Sequence, residues 1–273
     1  LNMNIGLTGS TGILGSKLKK KLNIKKNNQF FGKIENLNHV NKWIKDNNFD
    51  CIIHLAAIVP TNIVNKNKIK ALAINYVGVK NLINAINSHS QKKIWFFFSS
   101  TSHVYDFKKT AILETDKTKP ITFYGQTKLK GENYILSNQK MYDACIGRIF
   151  SFTSKKQNNN FIIPSILSKL KKNSKKIIFE NLNHERDFLR LEDIVLYISC
   201  LLTNKSKGIF NICSGVKINL IDIVHKLNKK YKKNIIIKKN SKKTILIGSN
   251  KKLIKTIGKS TKINYLNYLY KNY

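Results

Sequence analysis

The chain has 273 residues, of which 42% are hydrophobic, and its formal net charge is +36. This length fits one large domain or a domain with a smaller lobe, and the hydrophobic content is enough for a sizeable core. The basic excess is nearly all lysine, whereas dedicated nucleic-acid surfaces usually depend on arginine, and the only arginines are Arg148, Arg186 and Arg190. We therefore expect a solvated lysine surface that attracts anionic substrates, with nucleic-acid binding as the less favoured alternative.

Cysteine usage and hydropathy favour a reduced, cytoplasmic protein. The cysteines lie in apolar stretches without the spacing of a metal or redox site, so no metal centre is expected at Cys51, Cys145, Cys200 or Cys213. No apolar run approaches the roughly 20 residues of a membrane helix, and no signal-peptide pattern precedes the first strand. We therefore expect no membrane partner.

A glycine-rich turn follows the first predicted strand, which covers residues 3–8. Gly9 permits a tight turn, Gly12 lets the backbone approach a pyrophosphate, and Gly15 lets the next helix pack closely on the strand. The alternative is a glycine-rich loop without chemical consequence, but the flanking strand and helix favour a dinucleotide site. Its predicted cofactor-binding residues are Gly9, Ser10, Thr11, Gly12, Ile13 and Gly15.

Residues 29–34 are predicted to form the second strand. An acidic residue should end this strand and bind the ribose hydroxyls of NAD, but none is there. Lys33 lies nearby and could meet a 2′-phosphate. The sequence therefore leaves NAD or NADP open as the cofactor, and slightly favours NADP.

A buried strand is predicted within residues 49–57, and it ends in small side chains. Leu55, Ala56 and Ala57 leave room for a cofactor at the carboxyl end of this strand. The next helix carries Asn75 near its start. This asparagine could hold the backbone of the site or a water molecule, and a surface position is the alternative.

The continuous apolar run 94–98 suits a central parallel strand that is buried on both faces. It ends in a hydroxyl cluster, residues 99–102, followed by His103. The carboxyl ends of strands are where open α/β sheets bind ligands, although a serine cluster is also ordinary turn chemistry.

Tyr124 and Lys128 are four residues apart, so on a helix they share a face. A phenol is too weak an acid to serve as a base near neutral pH, but a neighbouring ammonium favours the phenolate. The pair could then exchange a proton with an alcohol or a carbonyl. The spacing alone is not specific, because it also occurs at Tyr76 and Lys80 and at Tyr105 and Lys109.

The order and spacing of these motifs resemble the extended short-chain dehydrogenases/reductases, and more narrowly the NAD-dependent epimerase/dehydratase family that acts on nucleotide sugars. The likeness runs from residue 3 to about residue 260. Residues 104–132 most resemble dTDP-4-dehydrorhamnose reductase, whereas Arg186-Asp187-Phe188 and Asp193 look more like epimerases and dehydratases.

The resemblance implies an α/β fold, with a Rossmann-type doubly wound parallel sheet and a smaller C-terminal substrate lobe. The NAD(P)-binding domain would cover residues 1–150, completed by about 185–213. Residues 151–184 and 214–273 would form the substrate-binding lobe. The family often dimerises through two long helices, so a homodimer is possible.

By position in the family's motifs, the implied catalytic residues are Thr101, Tyr124 and Lys128. Tyr124 would exchange the proton of a sugar hydroxyl while hydride passes between that carbon and the nicotinamide. Thr101 would hydrogen-bond the same oxygen, and Lys128 would also hold the nicotinamide ribose.

His103 stands where some relatives carry a second acid/base, and it could move a proton at a carbon beside a keto group. The alternative is a histidine that only contacts substrate. Dehydratases place an acidic pair where this chain has Ser102 and His103, so simple 4,6-dehydration is less favoured.

The implied substrate contacts are Thr101, Ser102, His103, Ser151, Asn160 and Arg186. Asn160 and Arg186 would meet the diphosphate of a nucleoside-diphosphate sugar, and Ser151 replaces an asparagine that many relatives carry. We expect an NAD(P)-dependent nucleotide-sugar epimerase or reductase, which the family would place in the synthesis of activated sugars for polysaccharide. The rival hypothesis is a catalytically inactive Rossmann scaffold that binds nucleotide or RNA.

Overall fold

A computed structural model describes residues 3–238, 241–261 and 263–273. The expectations that extend to residues 1–2, 239–240 and 262 lie outside the described residues. The first half of the chain contains β1 (Ile5–Thr8), α1 (Ile13–Lys21), β2 (Gln29–Phe30), α2 (Leu37–Lys45), β3 (Cys51–His54), α3 (Thr61–Lys66), α4 (Lys68–Leu72), α5 (Gly78–His89), β4 (Ile94–Thr101), α6 (Phe123–Ser137) and β5 (Tyr142–Ile149). The second half contains β6 (Ser151–Thr153), α7 (Ile162–Leu170), β7 (Lys176–Glu180), β8 (His184–Arg186), β9 (Phe188–Arg190), α8 (Leu191–Thr203), β10 (Gly208–Ile212), β11 (Ile218–Asn219), α9 (Leu220–Tyr231), β12 (Asn234–Lys238), β13 (Thr244–Leu246), α10 (Lys251–Ile257) and α11 (Tyr265–Asn272).

The central sheet has six strands in the order β10-β5-β4-β3-β1-β2, and every pair of neighbours is parallel. The chain runs outward from β1 to β2 and then returns to the other side of β1 as β3. This reversal opens a crevice at the carboxyl ends of β1 and β3, where open α/β sheets bind ligands.

Helices cover both faces of the central sheet. Helices α1 and α8 pack against each other over one face, and α2, α5 and α6 cover the other. Strand residues alternate between the two layers, so Phe97 joins the first apolar cluster while Phe96 and Phe98 join the second. Burial on both faces explains the continuous apolar run in β4, and it confirms the predicted central strand.

The second strand is shorter than predicted, because only Gln29 and Phe30 pair with β1. The chain turns away at Gly32, where an added Cβ would lie 2.8 Å from the Phe30 ring. Asn36 then caps α2, since its side-chain oxygen accepts the N–H groups of Asn38 and His39. The expected strand over residues 29–34 therefore ends after two residues.

The C-terminal part of the chain builds a separate apolar cluster. Strands β7 and β12 pair in parallel, β8 lies between β11 and β13, and β6 pairs with β9. Helices α7, α9 and α11 contribute buried Ile166, Leu227 and Leu269 to one cluster with Phe179. Together with α8 and β10 on the central sheet, this arrangement confirms the predicted Rossmann-type α/β fold with a smaller C-terminal lobe.

In the part of the chain that the structure describes, no helix combines the length and the apolar character needed to span a bilayer.

Candidate active site

A cavity of about 510 Å³ lies at the carboxyl ends of β1, β3 and β4 and extends to the segment that precedes α7. It brings together fourteen of the residues that the sequence predicted for the site. These are Gly9, Thr11, Gly12, Ile13, Gly15, Leu55, Ala56, Ala57, Thr101, Ser102, His103, Tyr124, Ser151 and Asn160.

The glycine-rich loop between β1 and α1 needs its glycines for steric reasons. Gly9 has a φ of +73°, and a Cβ there would come within 2.8 Å of the Ala56 backbone nitrogen. A Cβ on Gly15 would lie 2.1 Å from the Gly9 carbonyl oxygen, whereas one on Gly12 would meet the same oxygen at 3.3 Å. Gly9 and Gly15 therefore hold the loop's shape, while a Cβ on Gly12 would be a tight contact that a small shift of the loop could relieve.

Thr8 and His54 join the ends of the two strands that flank the crevice. The Thr8 hydroxyl oxygen lies 2.7 Å from His54 Nδ1, and it accepts the backbone N–H groups of Leu55 and Ala56, both at 3.2 Å. Because the Thr8 oxygen already accepts two hydrogen bonds, its hydroxyl donates a hydrogen bond to His54 Nδ1. Burial lowers the pKa of His54 to about 3, so this histidine is neutral.

Tyr124 lies in the first turn of α6 and is 7% exposed. The Thr122 hydroxyl caps this helix by accepting the Gly125 N–H at 3.0 Å. Gly125 lets the helix approach the end of β4, since a Cβ there would lie 2.1 Å from the His103 carbonyl oxygen. Burial raises the pKa of Tyr124, and the Thr101 side chain acts in the opposite direction by hydrogen bonding.

Lys128 lies one turn further along α6 and is 1% exposed. Burial lowers its pKa to about 7, and the nearby charge of Glu132 acts in the opposite direction. Its ammonium lies 4.1 Å from the centre of the Phe98 ring. Lys128 does not reach the cavity wall, although it is buried beside the residues that form it.

His103 faces Tyr124 edge-on, with 5.9 Å between the ring centres. Its pKa is lowered by burial and by the positive charge of Arg186, so the imidazole is neutral near pH 7. Its Nδ1 lies 3.4 Å from the Thr122 hydroxyl, which is a weak contact. A neutral imidazole beside the catalytic candidate can accept a proton, as the sequence-based hypothesis requires.

Arg186 is held beside the site but does not line the cavity. Its guanidinium donates to the Glu185 and Thr244 carbonyl oxygens and to the Thr244 hydroxyl, at 2.8–3.0 Å. It lies over the Phe107 ring at 5.2 Å. Burial lowers the pKa of Arg186 to about 10, and no described carboxylate lies within salt-bridge distance of it. This leaves a partly buried cation without an anionic partner.

Asn75, a predicted site residue, holds backbone groups in the segment that follows β3. Its side chain accepts the Ile58 N–H at 2.8 Å and donates to the Ile58 carbonyl oxygen and the Thr127 hydroxyl. Asn75 is fully buried away from the cavity wall. These bonds tie the segment after β3 to α6.

Two further predicted cofactor residues also lie off the cavity wall. Lys33 is exposed beyond the shortened β2, and its backbone N–H donates to His39 Nδ1 at 3.2 Å. Ser10 is 2% exposed, and its hydroxyl has no hydrogen-bond partner in the part of the chain that the structure describes. An unpartnered buried hydroxyl in the glycine-rich loop is consistent with a group that a ligand would satisfy.

The cavity also contains residues that the sequence did not single out. One end is lined by aromatic and amide side chains, namely Phe150, Phe152, Gln157, Phe161 and Phe188. Phe188 stacks on Tyr265 with 5.2 Å between ring centres, so α11 supports this end of the cavity. The sequence signals for them were the Arg186-Asp187-Phe188 motif and the position of Phe161 directly after Asn160.

The glycine-lined end of the cavity fits a nicotinamide dinucleotide. The loop presents a wall without side chains at Gly9, Gly12 and Gly15, opposite Ala56 and Ala57. A pyrophosphate bound at this loop would approach the backbone at Gly12, where there is no side chain. The backbone and the small side chains therefore leave room for a nicotinamide dinucleotide. Tyr124 and Thr101 line the same cavity.

Residues 8–263 match the GDP-mannose 4,6 dehydratase family. A GDP-6-deoxy-D-talose 4-dehydrogenase from Aggregatibacter actinomycetemcomitans is 28% identical over 250 residues, covering 87% of this chain and 83% of the relative. The RMD structure from Pseudomonas aeruginosa, complexed with NADPH, has a TM-score of 0.87 at 19% identity and covers 98% of this chain and 97% of its own. The Thermus thermophilus UDP-glucose 4-epimerase complex with NAD has a TM-score of 0.81 at 15% identity, with coverage of 98% and 97%. The chain therefore belongs to the GDP-mannose 4,6 dehydratase family, and the predicted place among extended short-chain dehydrogenase/reductase enzymes is confirmed.

Proposed function

We propose that the protein catalyses NAD(P)-dependent oxidation or reduction at a sugar carbon of a nucleoside-diphosphate sugar, as a keto-sugar reductase or an epimerase. The observation that carries this proposal is that Tyr124 and Thr101 line the same cavity as the glycine-rich loop, while Lys128 lies buried one turn further along α6. The matching relative that is a GDP-6-deoxy-D-talose 4-dehydrogenase supports the substrate class.

A bound nicotinamide would donate hydride to the sugar carbon or accept it. Tyr124 gives a proton to the sugar oxygen during reduction and removes it during oxidation. Thr101 hydrogen-bonds the same oxygen as charge develops there. Lys128 provides the neighbouring positive charge that makes proton transfer by a buried phenol less costly.

The substrate's diphosphate requires a positive partner, and we assign this role to Arg186. Neutral acceptors orient its guanidinium and use three of its five N–H groups. Within the described residues, the other N–H groups remain free to donate to phosphate oxygens. Ser102, Ser151 and Asn160 on the cavity wall complete the proposed substrate contacts. We assign the cofactor end to residues 1–150 with about 185–213, and the substrate lobe to 151–184 and 214–273.

His103 favours epimerisation as the second candidate reaction. Its ring lies 5.9 Å from the Tyr124 ring, and its lowered pKa keeps it neutral and able to accept a proton. A proton taken from the carbon beside a keto group and returned to the other face would invert that carbon. Replacing His103 with Asn should then abolish epimerisation while simple keto-sugar reduction continues.

The central test replaces Tyr124 with Phe, which removes only the hydroxyl. We expect turnover of GDP- or dTDP-linked 4-keto sugars to fall by about 10²–10⁴-fold while NAD(P)H affinity stays within a few-fold. Tyr76→Phe is the matched control, because Tyr76 and Lys80 have the same spacing on a partly exposed helix surface. Full activity of the Tyr124 variant would refute the proposed mechanism.

The cofactor retained on purification separates the remaining alternatives. Tightly held NAD would support an epimerase that reoxidises its cofactor in place. Reversible binding of NADPH to an empty site would support a reductase. Binding of neither would support the rival hypothesis, an inactive scaffold, and steeply salt-dependent RNA binding would then identify its ligand.

A further inference from the structure

A buried ion pair lies directly behind the proposed catalytic lysine. Arg148 in β5 donates from Nε to both Glu132 oxygens, at 3.1 and 3.2 Å, and from its terminal nitrogen to Oε2 at 2.7 Å. The side chains are only 4% and 1% exposed. The Ser100 hydroxyl also donates to Glu132 Oε1. Both carboxylate oxygens are therefore occupied from outside α6.

Arg148 is fixed from its other side as well. It donates to the Tyr105 hydroxyl at 2.7 Å, and that hydroxyl donates to the Asn211 side-chain oxygen at 2.8 Å. The Asn211 backbone N–H in turn donates to the Glu114 carboxylate at 2.8 Å. This chain of bonds ties the ends of β4, β5 and β10 to one another, so Arg148 cannot easily leave Glu132.

Glu132 stands four residues after Lys128 on α6, the spacing at which a lysine and a carboxylate pair along a helix. In the described part of the chain Lys128 nevertheless makes no hydrogen bond to Glu132, and its ammonium lies over the Phe98 ring. The Glu132 carboxylate has the right spacing to pair with Lys128, but it is already ion-paired with Arg148 and hydrogen-bonded by Ser100.

We propose that Arg148 and Glu132 are positioning residues that act through Lys128, with Arg148 holding the Glu132 carboxylate so that the lysine ammonium stays unpaired beside Tyr124. The inference rests on the proposed role of Lys128. Without Arg148, Glu132 would be a buried carboxylate with Lys128 as the nearest cation, and the two would pair. The lysine would then be drawn along α6, away from the Tyr124 hydroxyl and the cofactor end of the cavity.

The test measures the titration of Lys128 directly, by NMR of lysine labelled at Cε in the intact protein. Its signal is assigned by its disappearance in Lys128→Met. Arg148→Met should raise the Lys128 pKa by about one unit or more, because Glu132 is released to it. Glu132→Gln should shift this pKa in the opposite direction, since Arg148 is then an uncompensated neighbouring cation. The double variant R148M/E132Q should return it close to the wild-type value.

Turnover should follow the same pattern. Arg148→Met should lower kcat at least about tenfold with little change in KM for the nucleotide sugar, and R148M/E132Q should recover most of kcat. A purely architectural ion pair predicts no such recovery, and an unchanged Lys128 pKa in both single variants would overturn the proposal. If Arg148→Met does not fold, two other variants test the proposal. Glu132→Gln should lower the Lys128 pKa, and Ser100→Ala should raise it by less than Arg148→Met would.

The two proposals fail in different ways. The NMR titration needs neither substrate nor turnover, so it judges the positioning role even if no nucleotide sugar reacts. Loss of the proposed function would appear as an inactive wild-type protein with the same Lys128 titration pattern. If the positioning role is wrong, the protein will be active but its Lys128 pKa will not change when Arg148 is replaced.

Discussion

The ammonium of Lys128 lies 4.1 Å from the centre of the Phe98 ring, inside the layer between α6 and the central sheet. A cation over a ring face is favourable, but it does not replace the hydration that the ammonium loses on burial. The lysine is therefore held at a cost to stability, in a position one turn from Tyr124. Such a cost is typical of residues kept for chemistry.

Replacing Lys128 with Met should stabilise the fold below pH 7 while removing turnover. Burial lowers the lysine pKa from 10.5 to about 7, so below pH 7 the folded protein carries a buried charge. Between about 7 and 10.5 the unfolded chain binds more protons than the native one, and wild-type stability rises with pH. Urea unfolding at several pH values should show a gap of a few kcal/mol at low pH that narrows towards pH 10. A gap independent of pH would contradict the lysine's buried, charged state.

Gly15→Ala and Gly12→Ala should distinguish a glycine that the fold of the loop requires from one that cofactor binding requires. The Cβ of the first would lie 2.1 Å from the Gly9 carbonyl oxygen, so we expect a loss of about 1–3 kcal/mol in stability. The Cβ of the second would meet that oxygen at 3.3 Å, a tight contact that a small shift can relieve, so its melting temperature should fall less than that of the Gly15 variant. NAD(P)H affinity measured by fluorescence titration should fall for both. Unchanged NAD(P)H affinity in the Gly12 variant would show that the pyrophosphate does not bind at this loop.

Arg186→Met should weaken the binding of the nucleotide sugar without affecting the cofactor. The guanidinium is partly buried and lacks a carboxylate partner among the described residues, so a phosphate would be its anionic contact. We expect the KM for the nucleotide sugar to rise about 10–100-fold, as for a lost charge-assisted bond. Arg190→Met is the control, since Arg190 is already paired with Asp193. Equal effects of both variants would argue against a specific diphosphate contact.

Asn75→Ala should destabilise the protein without changing its cofactor affinity per folded molecule. The substitution leaves the Ile58 backbone groups and the Thr127 hydroxyl without their buried partner. A loss of about 1–3 kcal/mol in unfolding free energy is expected from this. Thermal melting and fluorescence titration with NAD(P)H would check it. A selective loss of cofactor binding at unchanged stability would instead indicate that Asn75 contacts the cofactor directly.

The glycine-rich turn and the central strand were predictable from sequence because both are local requirements. Gly9 and Gly15 occupy positions where a Cβ has no room, and the apolar run ending at Phe98 is what burial on both faces demands. The second strand was overestimated, since residues 31–34 look apolar enough for a strand. The turn at Gly32 depends on packing against Phe30 and His39, which a strand pattern does not reveal.

By itself, the sequence indicated the family, through the resemblance of its motifs. It also determined the fold class and the order of the site's motifs, because periodicity and spacing are properties of neighbouring residues. Three Tyr–Lys pairs with the same spacing could not be ranked by spacing. Only the tertiary structure shows that Tyr124 and Lys128 are both buried beside the cavity, whereas Lys80 and Lys109 are not. It likewise decided the partners of Asn75 and Arg186, which lie 52 and 58 residues away in the chain. Burial and the resulting pKa shifts come from such distant contacts, so they exist only once the chain has folded.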